Sequence, residues 1–258
     1  MDKLFSERFT DKKIFYYAQV DSTNQIAHQL AEQGALNGTT IIAEEQLKGR
    51  GRLGRSWFSP PQGGLWFSII LTPHNRNPAE IPPITLVTAA VIADLLKEKF
   101  NLPVDVKWPN DLLIHDKKIC GILTETKVID NKINYLVVGI GLNVNQNLSL
   151  FPTELQDKAT SMASESSHTY ERTTLFLNLR ELLLSSYQQF FRSGFKDFKA
   201  LWKKNNTTLS KQVTVKSPKT SITGLAYDIN DAGALIIENE DKITHEIHCG
   251  EITKISIG

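Results

Sequence analysis

The chain has 258 residues, 41% hydrophobic and 22% charged, with 29 Lys+Arg against 28 Asp+Glu for a net charge of +1. That length holds one large domain or a large domain with a small one, and the near-neutral balance argues against a dedicated nucleic-acid binder. Two cysteines, Cys120 and Cys249, exclude a disulfide framework and suit a reducing cytosol. The opening MDKLFSERFTDKK lacks the apolar core of a signal peptide. The most apolar stretch, residues 84–96, is broken by Thr85, Thr88 and Asp94 and is too short to span a bilayer. The expectation is a soluble, cytoplasmic protein.

In chain order, residues 14–19 read as a short strand. Asp21 or Ser22 then caps a helix with Ile26, Ala27, Leu30 and Ala31 on its apolar face, stopped by Gly34. A β-branched strand at 39–43 runs into GRGRLGRS (49–56), followed by WFSPPQGG and an apolar strand at 65–71. Pro82 and Pro83 open a helix carrying Ile84, Val87, Val91 and Leu95 on one face. Strands are predicted at 104–108, 112–115, 118–127 and 133–144, with a tight turn at Asp116 and Lys117. A polar stretch at 153–169 precedes a helix at 172–191 and a shorter one ending near Asn205 and Asn206. Beyond lie short β-rich segments at 212–216, 221–228, 234–239, 242–248 and 251–257, evenly spaced and separated by turn signals. The predicted class is α+β: a mixed β-sheet with flanking helices over residues 1–206, then a small C-terminal β-barrel domain at 207–258.

GRGRLGRS satisfies G-x-G-x-x-G through Gly49, Gly51 and Gly54, and comes one residue short of a phosphate-binding P-loop, with Arg55 where Lys would stand. Both motifs need a helix directly after the glycines, whose N-terminus holds the phosphates. WFSPPQGG, with two prolines and two glycines, supplies no such helix. What remains is a loop bearing Arg50, Arg52 and Arg55. An anion relieves the mutual repulsion of these arginines, and guanidinium groups suit phosphate or carboxylate. A merely solvated, flexible loop and a basic RNA-binding loop are the competing readings.

DSTNQ (21–25) sets Ser22, Thr23 and Asn24 at a helix start, where one caps and the others can face a polar ligand. KWPNDLL and DKKICGILTE put Lys107 and Lys118 on either side of a turn, near Asn110 and Asp111. Lys118 in an otherwise apolar strand calls for an anionic partner unless it snorkels to solvent. In GIGLNVN (139–145), Gly139 and Gly141 interrupt an apolar strand, through close approach of a ligand or through a β-bulge. Cys120 reads as a small buried hydrophobe before it reads as a nucleophile. His245 and His248 point to opposite faces of a strand, so no metal site is expected.

In this order and spacing, DSTNQ, GRGRLGRSWFSP, KWPNDLL, KKICGILTE and GIGLNVN resemble the biotin–protein ligases, and CGEIT (249–253) fits that family's terminal barrel. The resemblance implies a catalytic domain like that of class II aminoacyl-tRNA synthetases. It implies a two-step reaction in which biotin and ATP, with Mg2+, give biotinyl-5′-AMP and pyrophosphate. The biotinyl group then passes to a lysine of the biotin carboxyl carrier protein of acetyl-CoA carboxylase or a related carboxylase. By the same resemblance Ser22, Thr23, Asn24 and Gln46 bind the ureido ring of biotin. Arg50, Gly51 and Arg52 close on the biotin carboxylate and the phosphates, and Lys118 contacts the carboxylate and α-phosphate. Arg55, Trp57, Lys107, Asn110 and Asn143 fall on the nucleotide side, and Lys118, Arg52 and Asp111 are the catalytic candidates. The chemistry agrees, since joining two anions calls for preorganised cations and no protein nucleophile. About twenty residues before Ser22 are too few for the winged helix of repressor members, so no DNA binding is expected. No membrane association is expected either, and a homodimer is compatible with the sequence. The alternatives are a lipoate or octanoate transferase of the same fold, with Cys120 as nucleophile, and a non-catalytic basic binding module.

Overall fold

The structure is a computed structural model that describes residues 11–73, 75–217 and 220–256. Most of the charged N-terminal stretch, and the last residue of the final predicted strand, lie outside them. The chain runs β1 (Ile14–Val20), α1 (Thr23–Glu32), β2 (Thr40–Gln46), β3 (Gly64–Leu71), α2 (Pro83–Phe100), β4 (Asp105–Lys107) and β5 (Asp111–Ile114). It continues with β6 (Lys117–Ile129), β7 (Lys132–Asn143), α3 (Thr153–Gln156), α4 (Met162–Ser166), α5 (Arg172–Ser193) and α6 (Lys196–Asn205). It ends with β8 (Gln212–Lys216), β9 (Ser221–Ile229), β10 (Leu235–Glu238), β11 (Thr244–Ile247) and β12 (Glu251–Ser256). Two compact units share these elements: Met1–Pro78 with Leu113–Ser185, and Ala79–Leu112 with Ser186–Gly258.

In the first unit the strand order is β1-β2-β3-β7-β6. β1 runs parallel to β2 and the remaining pairs are antiparallel, so the sheet is mixed as predicted. All of β3 is buried, because successive side chains meet different layers. Phe67 meets Phe176 of α5 edge-on at 5.3 Å, while Ser68 bonds Thr23 and Asn24 of α1. That double coverage explains why the strand is apolar without alternation. α1 seats Ala27 against Ile41, Ile70, Tyr135 and Val137. α5 is anchored by Arg172, whose buried guanidinium pairs with Glu44 at 3.1 Å and donates to the Gly64 carbonyl at 3.1 Å. The polar stretch at 153–169 contains the short helices α3 and α4.

The β5–β6 turn sits one residue earlier than predicted, at His115 (φ 48°) and Asp116 (φ 62°). A two-residue hairpin of this hand needs positive φ at both central residues, and His and Asp tolerate that better than Lys117 would. Asp130 and Asn131 turn β6 into β7 in the same way.

In the second unit Pro83 opens α2 and Asn101, in the left-handed region at φ 52°, closes it. α2 is long and apolar enough to cross a bilayer by composition, but most of it is buried. It packs on α6, with Lys204 reaching Asp94 at 3.0 Å and Glu98 at 2.9 Å. The strands of the C-terminal region form an antiparallel sheet in the order β11-β10-β9-β8-β12. Among the described residues no pairing joins β11 to β12, and this antiparallel sheet is consistent with the small C-terminal β domain that the sequence predicts. The indole nitrogen of Trp108 donates to the Gly233 carbonyl at 3.2 Å, and its main-chain N–H donates to Thr208 Oγ1 at 3.0 Å.

Candidate active site

Ser22 enters α1 in an extended conformation (φ −158°, ψ 134°), yet its hydroxyl makes no capping bond. The predicted cap at Asp21 or Ser22 is therefore not made by a side chain. Asp21 pairs with Lys48 at 2.8 Å instead. Ser22, Thr23 and Asn24 are only 2%, 3% and 4% exposed, unusual for three consecutive polar residues at a helix start. Burial demands partners, and two of the three residues have them. The N–H and Oγ1 of Thr23 both donate to Gln46 Oε1, at 2.8 and 3.0 Å. Gln46 Nε2 donates to Ser59 Oγ at 2.8 Å. Asn24 Nδ2 donates to Glu125 Oε2 at 2.6 Å, and Asn24 Oδ1 accepts from Ser68 at 2.6 Å.

The Gly/Arg stretch continues directly from β2 as a hairpin. Gln46 pairs with Ser59 and Arg50 with Ser56. The Trp57 N–H donates to the Gly49 carbonyl at 2.8 Å, and the Gly51 N–H donates to the Arg55 carbonyl at 2.7 Å. Leu53 (φ 56°) and Gly54 (φ 76°) turn the tip. The loop is thus hydrogen-bonded along its arms, unlike the merely solvated, flexible loop of the competing reading. No helix follows it among residues 57–64, as expected. Arg50 and Arg55 are exposed and Arg52 is half-buried. A cleft of 650 Å³ opens beside the hairpin, lined by Gln46, Lys48, Arg55, Trp57 and Phe58 among others.

Trp57 accounts for Gly141, one of the two glycines that the sequence left ambiguous, and for Gly121 as well. Gly121 and Gly141 are cross-strand partners on β6 and β7. A Cβ on Gly121 would lie 2.9 Å from the Trp57 ring, and one on Gly141 would run into the indole. Gly139 is bare for the side chain of Asn24. Neither a ligand nor a bulge is needed to explain them: the pairing stays in register here, and the crowding groups belong to the chain itself. The Lys118 ammonium lies 5.1 Å from the Trp57 ring centroid, a cation–π distance. The indole N–H of Trp57 is buried without a hydrogen-bond acceptor. Asn143 Nδ2 donates to the Thr160 carbonyl at 2.9 Å, and the Thr160 N–H donates to the Lys118 carbonyl at 3.0 Å, tying β7 and β6 to the segment before α4.

Glu125 is held below the usual carboxylate range. The hydrogen bond from His28 is the largest cause, with help from Asn24 and the charge of Arg50, against the opposing effect of burial. Cys120 is fully buried, which removes it as an accessible nucleophile, whereas Cys249 is exposed. Among the described residues no group of three His, Cys, Asp or Glu could hold a metal ion.

Residues 16–143 match the Biotin/lipoate A/B protein ligase family, and residues 208–254 match the Biotin protein ligase C terminal domain. A solved structure of biotin protein ligase from Aquifex aeolicus in complex with biotin and ATP is similar at TM-score 0.82 and 31% identity, over 95% of this chain and 100% of that one. The bifunctional ligase/repressor BirA of Bacillus subtilis (strain 168) is 33% identical over 230 residues, covering 89% of this chain and 70% of the relative. The chain belongs to the biotin protein ligase family. Within it, the biotin–[acetyl-CoA-carboxylase] ligase of Mycobacterium tuberculosis is 29% identical over 227 residues, 86% of this chain and 81% of the relative.

Of the residues expected to serve a biotin protein ligase, those from Ser22 to Trp57, with Lys118 and Asn143, fall in the first compact unit. Lys107, Asn110 and Asp111 fall in the second. Three groups in the polar cluster were not foreseen: Ser68, His28 and Glu125. Ser68 carried a signal, as the one hydroxyl in the apolar run LWFSIIL. Glu125 carried none.

Proposed function

We propose that this chain joins biotin to ATP and then to protein, as a cytoplasmic biotin–[biotin carboxyl carrier protein] ligase. The biotin carboxylate attacks the α-phosphorus, forming biotinyl-5′-AMP as pyrophosphate leaves. A lysine amine of the carrier protein then attacks the acyl carbon and AMP leaves. The carrier of acetyl-CoA carboxylase, or of a related biotin-dependent carboxylase, is the acceptor. Residues 1–206 carry both chemical steps, and 207–258 form the accessory β domain.

The observation that carries the reading is the pairing of two unlike features in one unit: a buried, fully directed polar cluster at Thr23 and Asn24, and a hairpin displaying Arg50, Arg52 and Arg55. The first suits a neutral ureido ring, which only fixed donors and acceptors can discriminate. The second suits a carboxylate and phosphates, which need charge gathered around the transition state. In this reading Ser22, Thr23 and Asn24 meet the ring, with Gln46 holding Thr23. Arg50, Gly51 and Arg52 close over the carboxylate and phosphates, and Arg55 adds charge on the nucleotide side. Lys118, on its strand beside Trp57, contacts the carboxylate and α-phosphate, while Trp57 and Asn143 bound the adenine. Mg2+ enters with ATP as part of that substrate. Closure of the hairpin keeps water from the mixed anhydride.

The test is ATP–pyrophosphate exchange with and without biotin, followed by transfer to a carrier domain. Exchange that requires biotin is the expected result. Exchange that responds equally to lipoate, or no exchange at all, would overturn the reading.

A further inference from the structure

We propose that Glu125 is a positioning residue for biotin: it sets which way the Asn24 amide faces, and His28 in turn holds Glu125. The proposal rests on the reading above that Asn24 meets biotin.

A carboxamide has a donor end and an acceptor end that differ little in shape, so something must decide its orientation. Asn24 Nδ2 lies 2.6 Å from Glu125 Oε2, and Asn24 Oδ1 lies 2.6 Å from the Ser68 hydroxyl. Serine can donate or accept, and it would tolerate either end of the amide. An ionised carboxylate can only accept, so Glu125 forces the NH2 toward itself and the oxygen toward Ser68. The amide also has little freedom to move away from this arrangement. Any side chain at Gly139 would collide with it, and the Leu123 carbonyl stands 3.5 Å from Nδ2 on the same side. Leu123 and Glu125 are two apart on β6 and therefore share a face.

Glu125 is itself held from α1. Asn24 and His28 are four apart on that helix, so both side chains reach the same neighbour. His28 Nε2 stands 3.5 Å from Glu125 Oε2, and its Nδ1 stands 3.2 Å from the Tyr135 hydroxyl. The Tyr135 hydroxyl also lies 3.4 Å from Glu32. The depressed carboxylate of Glu125 fits an acceptor that stays ionised while it performs this task. A chain of side chains thus runs from the helix surface to the amide, and neither Glu125 nor His28 need touch a substrate.

The experiment is biotin affinity by titration calorimetry on the full chain, for Glu125→Ala, Asn24→Ala and the double variant, with thermal stability and the KM for ATP measured alongside. A hydrogen bond to a charged group predicts that Glu125→Ala weakens biotin ~10-fold or more, with the KM for ATP unchanged. Because Glu125 acts through Asn24, the double variant should bind no more than about twofold worse than Asn24→Ala alone. Glu125→Gln keeps the shape and an acceptor oxygen but allows either orientation, and should fall between wild type and Glu125→Ala. It also supplies the comparison if the alanine variant does not fold. Additive losses in the double variant would overturn the positioning role, as would wild-type affinity in both Glu125 variants. If Asn24→Ala itself leaves biotin affinity unchanged, the contact between Asn24 and biotin fails first and the proposal with it. Loss in Asn24→Ala without loss in the Glu125 variants sinks the proposal alone.

Discussion

Thr23 and Asn24 are almost wholly buried and bonded to Gln46, Ser68 and Glu125, whereas Arg50 and Arg55 stand exposed on a hairpin whose arms are held by backbone bonds. The contrast matches the roles proposed for the two regions. A buried donor or acceptor without a partner costs about 1–3 kcal/mol, so a site for a neutral polar ring has to be assembled beforehand. Attraction between opposite charges acts over several ångströms and demands less prior geometry.

The largest expected effect is at Lys118, the cation proposed to meet the biotin carboxylate and the α-phosphate. Lys118→Ala removes the cation beside Trp57 and should slow biotin-dependent exchange by roughly two to three decades, a loss of a few kcal/mol from the transition state. Circular dichroism should show the fold intact. Near-normal exchange would detach Lys118 from the chemistry.

A second variant strikes only the preassembled region. Gly139→Ala drives a methyl group into the Asn24 amide. Overpacking of this kind costs about 1–3 kcal/mol, and under the proposed reading it should fall on biotin. Biotin affinity should drop while the KM for ATP holds, and parallel losses in both would blur the distinction between the two regions.

Arg52→Gly strikes only the hairpin. It removes one cation and loosens the backbone, so biotinyl-5′-AMP should still form but leave sooner. The readout is biotin transfer to serum albumin beside a carrier domain, and albumin labelling several-fold above wild type is expected. Labelling confined to the carrier would mean that Arg52 is not the latch.

The smallest effect lies outside both regions. Burial pushes the Glu171 carboxyl up, but hydrogen bonds from Thr174 and Thr173 outweigh it and bring it from 4.5 down to about 2. A depressed carboxylate adds stability that is complete above its ordinary value and is lost as pH falls toward 2. Glu171→Gln should flatten that part of the melting-temperature profile. At neutral pH it should cost at most about 1 kcal/mol, the usual worth of a capping side chain, and less because Glu171 faces solvent.

The sequence carried the order of elements and the arginine hairpin, because both rest on local signals. Apolar runs, prolines and turn residues located the strands and helices, and the hairpin announced itself through its glycines and arginines. What it could not carry were contacts between distant residues. Gly139 and Gly141 advertised crowding, but nothing local identified Asn24 and Trp57 as the groups that crowd them. Asn24 and Glu125 meet across |i−j| = 101, and a glutamate in the run ILTETK looks like any solvated strand residue. The cap expected at Ser22 failed for a related reason, since its buried surroundings took precedence over the local habit of a serine before a helix. Lys107, Asn110 and Asp111 fall in the other compact unit from Lys118, a division that no local signal marked.

The hairpin tip has one more consequence. Arg52, Leu53, Gly54 and Arg55 form a protruding turn in which Leu53 is 66% exposed, and such tips are where digestive proteases nick a folded chain. An enzyme that cuts after arginine should find this peptide early and divide the chain near one fifth of its length, about residue 52 or 55. Under the proposed closure on bound adenylate, the same bonds should become shielded. The rate of fragment appearance on a gel then becomes a clock for how much of the population carries its intermediate.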